Sequence, residues 1–389
     1  MKTKILAIGI FVITALVVGF YPLYNKSANA KSGVIDIANH KPKIQLAILL
    51  DTSSSMSGLI DQSRNQLWQV VNEFSRTKKN GVTPTLEVAV YEYGNSGLAA
   101  KDGYIRQLTD LTTELDQVSE GLFALTTNGG DEYCGYVIKT AVTDLKWSKS
   151  NQDIKVIFIA GNEPFTQGPV PFQEAIATAK RKGITVNTIH AGGHHEGAQS
   201  GWKDGAILAG GDYMSIDHNH RVVHIDAPQD KRIAELNARL NQTYVPYGAE
   251  GRKKALRQQE QDAKSGAISS GLLAKRAQSK VSKMYNNSSW DLVDAFEAGD
   301  VRLEELEDEQ LPAAMQKMDK VKQEEYVAGK AKERKKVQEE ITALSKARND
   351  YVAKKQRETA ETTVNTVNDA VTKAIRREAK SKNYVFEAQ

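Results

Sequence analysis

The chain has 389 residues, a formal net charge of +4 and a charged fraction of 26%. That length accommodates one large core with a second region, or two to three domains, and excludes a minimal module. The mild basic excess is spread along the chain and calls for no nucleic acid, while the single cysteine, Cys134, excludes an intrachain disulfide and leaves packing and bound metal to supply stability.

At the N-terminus, Met1-Lys-Thr-Lys4 precedes the apolar run Ile5 to Phe20, and Ala28-Asn29-Ala30 supplies an A-x-A cleavage pattern before Lys31. This is the layout of an export signal, so residues 1–30 are expected to be a signal peptide. Tyr21-Pro-Leu-Tyr24 lengthens the run towards the roughly 20 residues of a membrane span, which keeps an uncleaved anchor open. Either expectation places the rest of the chain in a periplasm or on the inner membrane facing it, with membrane contact through this segment alone.

From Ile44 onward, strand-length apolar runs alternate with amphipathic helical stretches. The runs Ile44–Leu50, Leu86–Tyr93, Ile154–Ala160, Thr185–Ala191 and Tyr213–Ile216 read as strands. Gln62–Thr77, Leu111–Leu122, Cys134–Leu145, Phe172–Lys182 and Trp202–Ala209 read as helices, and Tyr104–Leu108 as an antiparallel edge strand. The pattern predicts an α/β fold over residues 43–245, a doubly wound, mostly parallel central sheet with helices on both faces. Tyr213–Ile225 is expected to form an edge hairpin, and Asp230–Tyr244 the closing helix.

Asp51-Thr-Ser53-Ser-Ser55 follows the first apolar run directly. Alternate residues of an extended segment point the same way, so Asp51, Ser53 and Ser55 converge in the crevice beyond the strand's carboxyl end, where open α/β sheets bind ligands. Oxygen donors of this kind suit a hard divalent cation, Mg²⁺ or else Mn²⁺ or Ca²⁺. The arrangement, with Met56-Ser-Gly58 behind it, resembles the metal-ion-dependent adhesion site of von Willebrand factor A domains. The resemblance implies that the two serines bind metal directly, that the aspartate acts through water, and that a protein partner's carboxylate or other oxygen completes the shell.

In that family a threonine on the second loop and an aspartate on the third complete the site, and this chain alters both. The second loop, Leu125-Thr-Thr-Asn-Gly-Gly-Asp-Glu-Tyr133, carries Asp131 and Glu132 where the threonine is expected, with Thr126 and Thr127 just upstream. The third loop reads Ala160-Gly161-Asn162-Glu163-Pro164, so Gly161 stands where the aspartate belongs. Either the site is degenerate, or the carboxylate has moved to Asp131 or Glu132, with Asn162 offering a carbonyl oxygen. The candidate metal residues are therefore Asp51, Ser53, Ser55, Thr127, Asp131, Glu132 and Asn162.

Residues 249–389 are rich in Lys, Glu, Gln and Ala, which predicts an all-α C-terminal extension of exposed helices. Ser289–Phe296 carries enough large apolar residues to dock, and the sheet domain is its expected dock. A long helix is expected from about Val321 to Glu358, with Val337, Ile341, Leu344 and Tyr351 at the heptad-like steps of a short coiled coil. Val364, Val367, Val371 and Ile375 form a second stripe. Histidines cluster at His190/His194/His195 and His218/His220/His224, and read as polar loop residues or a weak zinc site. No G-x-S-x-G elbow, P-loop or H-E-x-x-H occurs, so no catalytic residues are expected. The expected function is metal-dependent protein–protein binding. A metal-free scaffold that binds through its helical tail, or a Mg²⁺-dependent hydrolase, are the alternatives.

Overall fold

A computed structural model describes residues 41–216, 225–359 and 367–387. The first strand, Lys43–Asp51 (β1), leads into helix Ser57–Phe74 (α1), the short strand Thr77–Lys78 (β2), and strands Thr85–Tyr93 (β3) and Ile105–Thr112 (β4). Helices Leu115–Ala124 (α2) and Cys134–Asp144 (α3) follow, then strand Ile154–Gly161 (β5), helix Phe172–Arg181 (α4) and strand Thr185–Ala191 (β6). Two short helices, His194–Gln199 (α5) and Trp202–Ala209 (α6), precede strand Tyr213–Ile216 (β7).

The six-stranded sheet has the order β4-β3-β1-β5-β6-β7. All neighbours are parallel except β4, which runs antiparallel to β3 at the edge, as the sequence predicts. β1 is central because its alternate residues serve two layers. Ile44, Leu46 and Leu50 face the core under α1, while Ala47 and Leu49 face the core under α3, α4 and α6. A strand covered on both sides reads as an unbroken apolar run, which is why its sequence gives no alternation.

Two boundaries differ from expectation. β4 continues through Thr112, so α2 starts at Leu115 rather than Leu111. An irregularity opposite Val90 lets the Thr109 hydroxyl accept the Val90 amide at 3.0 Å, which carries β4 one turn further along the sheet. α1 starts at Ser57, five residues earlier than the periodicity suggests. The expected hairpin at Tyr213–Ile225 falls partly outside the described residues, as do His218, His220, His224 and the whole N-terminal segment to His40.

After β7 come helices Asp230–Asn241 (α7), Gly248–Ile268 (α8), Ser270–Lys280 (α9), Leu292–Ala298 (α10), Lys320–Thr359 (α11) and Val367–Ser381 (α12), and a last strand, Val385–Phe386 (β8), paired with β2. These helices share a core with the sheet. Leu272 and Ala277 of α9, Val337 and Ile341 of α11, and Val371 and Ile375 of α12 are buried with Leu46, Trp68 and Phe74. The apolar stripe of α11 therefore lies on the body of the protein, chiefly against α7. Trp290 stacks near Tyr244, ring centroids 5.5 Å apart, and Leu292 and Val293 fill a satellite cluster with Val245, Leu303 and Val327. Among the described residues, no helix is long and apolar enough to cross a membrane.

Candidate metal site

At the carboxyl end of β1 the Asp51 side chain is fully buried. Its Oδ1 accepts the Ser53 amide at 2.7 Å, and that bond turns the chain out of the strand into the turn preceding α1. The turn brings Ser53 Oγ within 3.3 Å of Ser55 Oγ, and Ser55 Oγ donates to Asn162 Oδ1 at 3.2 Å. The first and third loops therefore meet through Ser55 and Asn162, and the chain between Asp51 and Ser55 is not the extended segment expected but leads into a 3-10 turn, Ser54–Met56.

Glu132 supplies the second carboxylate. It is 4% exposed, its Oε2 accepts the Glu163 amide at 3.3 Å, and its own amide donates to Gln167 Oε1 at 2.8 Å. Both acids pass over Gly94 at the end of β3: a Cβ there would lie 2.7 Å from Glu132 Cγ and 2.9 Å from Asp51 Oδ1. Gly94 also holds φ +78°, so a side chain is excluded both by strain and by the carboxylates.

The other candidates sit apart. Asp131 is exposed, and its Oδ2 accepts the Tyr133 hydroxyl at 3.2 Å, which points it away from Asp51. Thr127 is half-buried in the turn pinned by the Asn128 amide on the Thr52 carbonyl at 3.0 Å, and its hydroxyl makes no hydrogen bond to Asp51, Ser53 or Ser55.

The electrostatics follow from two acids confined together. Burial first, then the facing Asp51 carboxylate, pushes Glu132 well above the usual carboxylate range. Burial likewise raises Asp51, against the opposing pull of the Ser53 amide. Asp51 Oδ2 is buried without a hydrogen-bond partner. Such an orphaned oxygen costs roughly 1–3 kcal/mol, more if charged, and a cation would remove the penalty. Two carboxylates, two hydroxyls and an amide oxygen match the hard-oxygen preference of Mg²⁺ or Mn²⁺. Among the described residues no cluster of three or more His, Cys, Asp or Glu side chains occurs, so the hydroxyls and the amide are needed to complete a shell.

Some supporting residues are not evident from sequence. Tyr93, buried at the end of β3, donates its hydroxyl to the Ala160 carbonyl at 3.0 Å and lies 3.6 Å from Cys134 Sγ. Burial raises both groups, so each keeps its proton. A Cβ at Gly161 would come 2.5 Å from that hydroxyl. His190 contacts the third loop through Nε2 and the Asn162 carbonyl at 3.2 Å, and Trp202 Nε1 donates to the Glu163 carbonyl at 2.9 Å. Strand alternation would have placed Tyr93 beside the site. Nothing in the sequence distinguishes His190 from its neighbours.

Residues 45–199 match the model of the von Willebrand factor type A domain family. The sheet and its helices have that Rossmann-like fold, followed by the helical C-terminal region. Solved structures similar to the chain include the VWA domain of SpRpn10, at 17% identity and a TM-score of 0.33, covering 45% of this chain and 88% of that one. An aerotolerance-related membrane protein from Bacteroides fragilis is 14% identical, with a TM-score of 0.31, covering 45% of this chain and 92% of that one. The pilus adhesin SpaC from Lactobacillus rhamnosus GG is 13% identical, with a TM-score of 0.34, covering 46% of this chain and 28% of that one. No curated protein matches.

Proposed function

We infer that this is an exported protein that binds a protein partner through a divalent cation held at the carboxyl edge of its sheet. The observation that carries the reading is the convergence of the buried Asp51 and Glu132 carboxylates with the Ser53 and Ser55 hydroxyls at the end of the central strand. Asp51, Ser53, Ser55 and Glu132 would hold the ion, with Asn162 beside them. The bound cation supplies an electrophilic site for a partner's carboxylate or other oxygen ligand. The chain's own part is to orient the hydroxyls and neutralise the ion. Because Asp51 and Glu132 already balance two positive charges, a partner carboxylate is held moderately rather than tightly.

The Ser53 hydroxyl bonds Ser55 and the Asp51 and Glu132 carboxyls, and Ser55 bonds Asn162, so both hydroxyls are engaged where the ion would sit. The apolar stripe of α11 is spent on the protein's own core, which weighs against a scaffold that binds through this helix. Calorimetric titration of Mg²⁺ and Mn²⁺ into the full chain tests the reading. Binding is expected, weakened at least about tenfold in Asp51→Ala and Glu132→Gln, and unchanged in Asp131→Ala. Loss in Asp131→Ala with retention in Glu132→Gln would overturn the assignment. A pull-down from envelope extract with Mg²⁺, then with chelator, tests the partner: recovery that survives chelation would refute the metal dependence.

A further inference from the structure

The two ends of the sheet carry opposite charge. At the carboxyl end, among the described residues, the loops hold Asp51, Asp102, Asp131, Glu132, Glu163 and Glu196 against Lys101. At the amino end, residues 75–84, 145–153 and 380–387 bring Lys78, Lys79, Lys146, Lys149, Lys380 and Lys382 together. The acids of those three segments are Asp153, fully buried, and Glu387, paired with Lys78 at 2.5 Å.

These segments form one face. Lys79 Nζ donates to the Gln152 carbonyl at 2.7 Å and stands 4.9 Å from the centre of the Tyr384 ring. Lys382 Nζ donates to the Asn151 carbonyl at 2.9 Å, and the Tyr384 hydroxyl donates to the Lys43 carbonyl at 3.1 Å. Two aliphatic side chains of these segments are exposed, Val385 at 67% and Val82 at 46%, and because their partners Lys78 and Lys79 are consecutive they leave the ribbon on opposite sides. Strand pairing sets each beside a lysine, Val385 opposite Lys78 and Val82 opposite Lys79.

Lysines around the protruding Val385 match a layer that offers phosphates at its surface and hydrocarbon just beneath. Nucleic acid would be better served by arginine forks and stacking aromatics. An acidic protein would use the lysines but leave Val385 in water. We propose that the amino-end face of the sheet, around Lys79, Lys149, Lys380 and Val385, docks on an anionic phospholipid surface. The carboxyl end of the sheet, with Asp51 and Glu132, would then face away from the bilayer.

Vesicle flotation of the full chain tests this, with chelator present so that cation bridging plays no part. Vesicles of phosphatidylcholine alone are compared with vesicles that also contain phosphatidylglycerol. At low salt, partition onto the anionic vesicles is expected to exceed that onto neutral ones by about tenfold, and the difference should close at high salt. The triple variant Lys146→Glu/Lys149→Glu/Lys380→Glu should cut the difference to about twofold or less, with thermal melting as in the parent. Lys149→Glu alone gives a smaller step in the same direction, and Lys101→Glu at the opposite edge none. Equal partition onto both vesicle types, or an unchanged difference in the triple variant, would overturn the proposal.

Discussion

Gly161 occupies the position at which the family's third-loop aspartate is expected, and the volume an aspartate would need there is already filled by the Tyr93 hydroxyl. In the proposed site the carboxylate would come instead from Glu132 on the neighbouring loop, whose longer side chain reaches over Gly94 to Asp51. Gly161→Asp is therefore expected to destabilise the chain by roughly 1–3 kcal/mol rather than restore a stronger site, as urea denaturation would show; a stabilised, tighter-binding variant would contradict this. The pair also makes a pH prediction. Both carboxyls are raised in the folded chain, so above the unfolded value of about 4 the folded state holds more protons than the unfolded one, and stability drawn from the pair falls as pH rises. A divalent cation replaces the proton, so the melting temperature gained on adding Mg²⁺ should be larger at about pH 8 than at about pH 6. Glu132→Gln should flatten this dependence while weakening the ion; a cation effect independent of pH would count against the pair.

The D-x-S-x-S spacing made the residues of the first loop legible as a cluster but not their geometry, since the strand ends at Asp51 and it is the Asp51–Ser53 bond and the 3-10 turn Ser54–Met56 that orient the hydroxyls. The choice between Asp131 and Glu132 was not legible. It rests on the Gln167 side chain gripping the Glu132 amide from another loop.

Among the elements, the helices beyond Ala249 diverge most from what composition suggests. Their Lys, Gln and Ser content reads as solvent-facing, yet Gln258, Gln261, Arg276, Ser279 and Lys280 are buried, because polar partners on other elements meet them: Gln258 donates to the Tyr285 hydroxyl, Gln261 accepts from Ser119 and Ser279 donates to Asn72. Asp262 is the hub: Arg276 Nε lies at 2.6 Å, Lys280 Nζ at 2.8 Å and Asn237 Nδ2 at 2.8 Å. Burial opposes the charged form of Asp262, but Lys280 and then Arg276 outweigh it and hold the carboxyl well below the usual range. A depressed carboxylate stabilises the fold above its unfolded value of about 4, and that stability is lost as pH falls through the folded value. Denaturant titration from neutral to acid pH should show this loss, and Asp262→Asn should remove much of the slope.

The 3.6-residue period located α11, but its partner was not readable from sequence. Arg334 fixes the seat of that helix, bonding Asp291 at 2.6 Å and the Thr243 carbonyl at 2.8 Å, with its guanidinium 4.3 Å from the centre of the Tyr244 ring. Arg348 adds a buried pair with Asp230 at 2.5 Å. Arg334→Ala leaves Asp291 buried without its cation, and should cost roughly 3–5 kcal/mol by chemical denaturation. A loss under about 1 kcal/mol would show the pair to be peripheral.

Over the whole molecule, alternating apolar runs were enough to predict a mostly parallel sheet covered on both faces, since crossover helices leave few alternatives. The closure at the far end was not evident, because a two-residue strand has no pattern to read. β8 pairs with β2, the Glu387 amide donates to the Arg76 carbonyl at 2.8 Å, and Arg376 of α12 meets Glu73 of α1 at 2.6 Å. Ending the chain after Ser381 should expose Thr77 and lower the melting temperature, by about 1–2 °C for each kcal/mol lost in a unit this large.

Because a segment near residue 77 finds its mate only near residue 386, hundreds of intervening residues must be made before this seam can zip. A ribosome still holding residues near 386 would therefore present the body with this seam open, and its pairing comes late in folding.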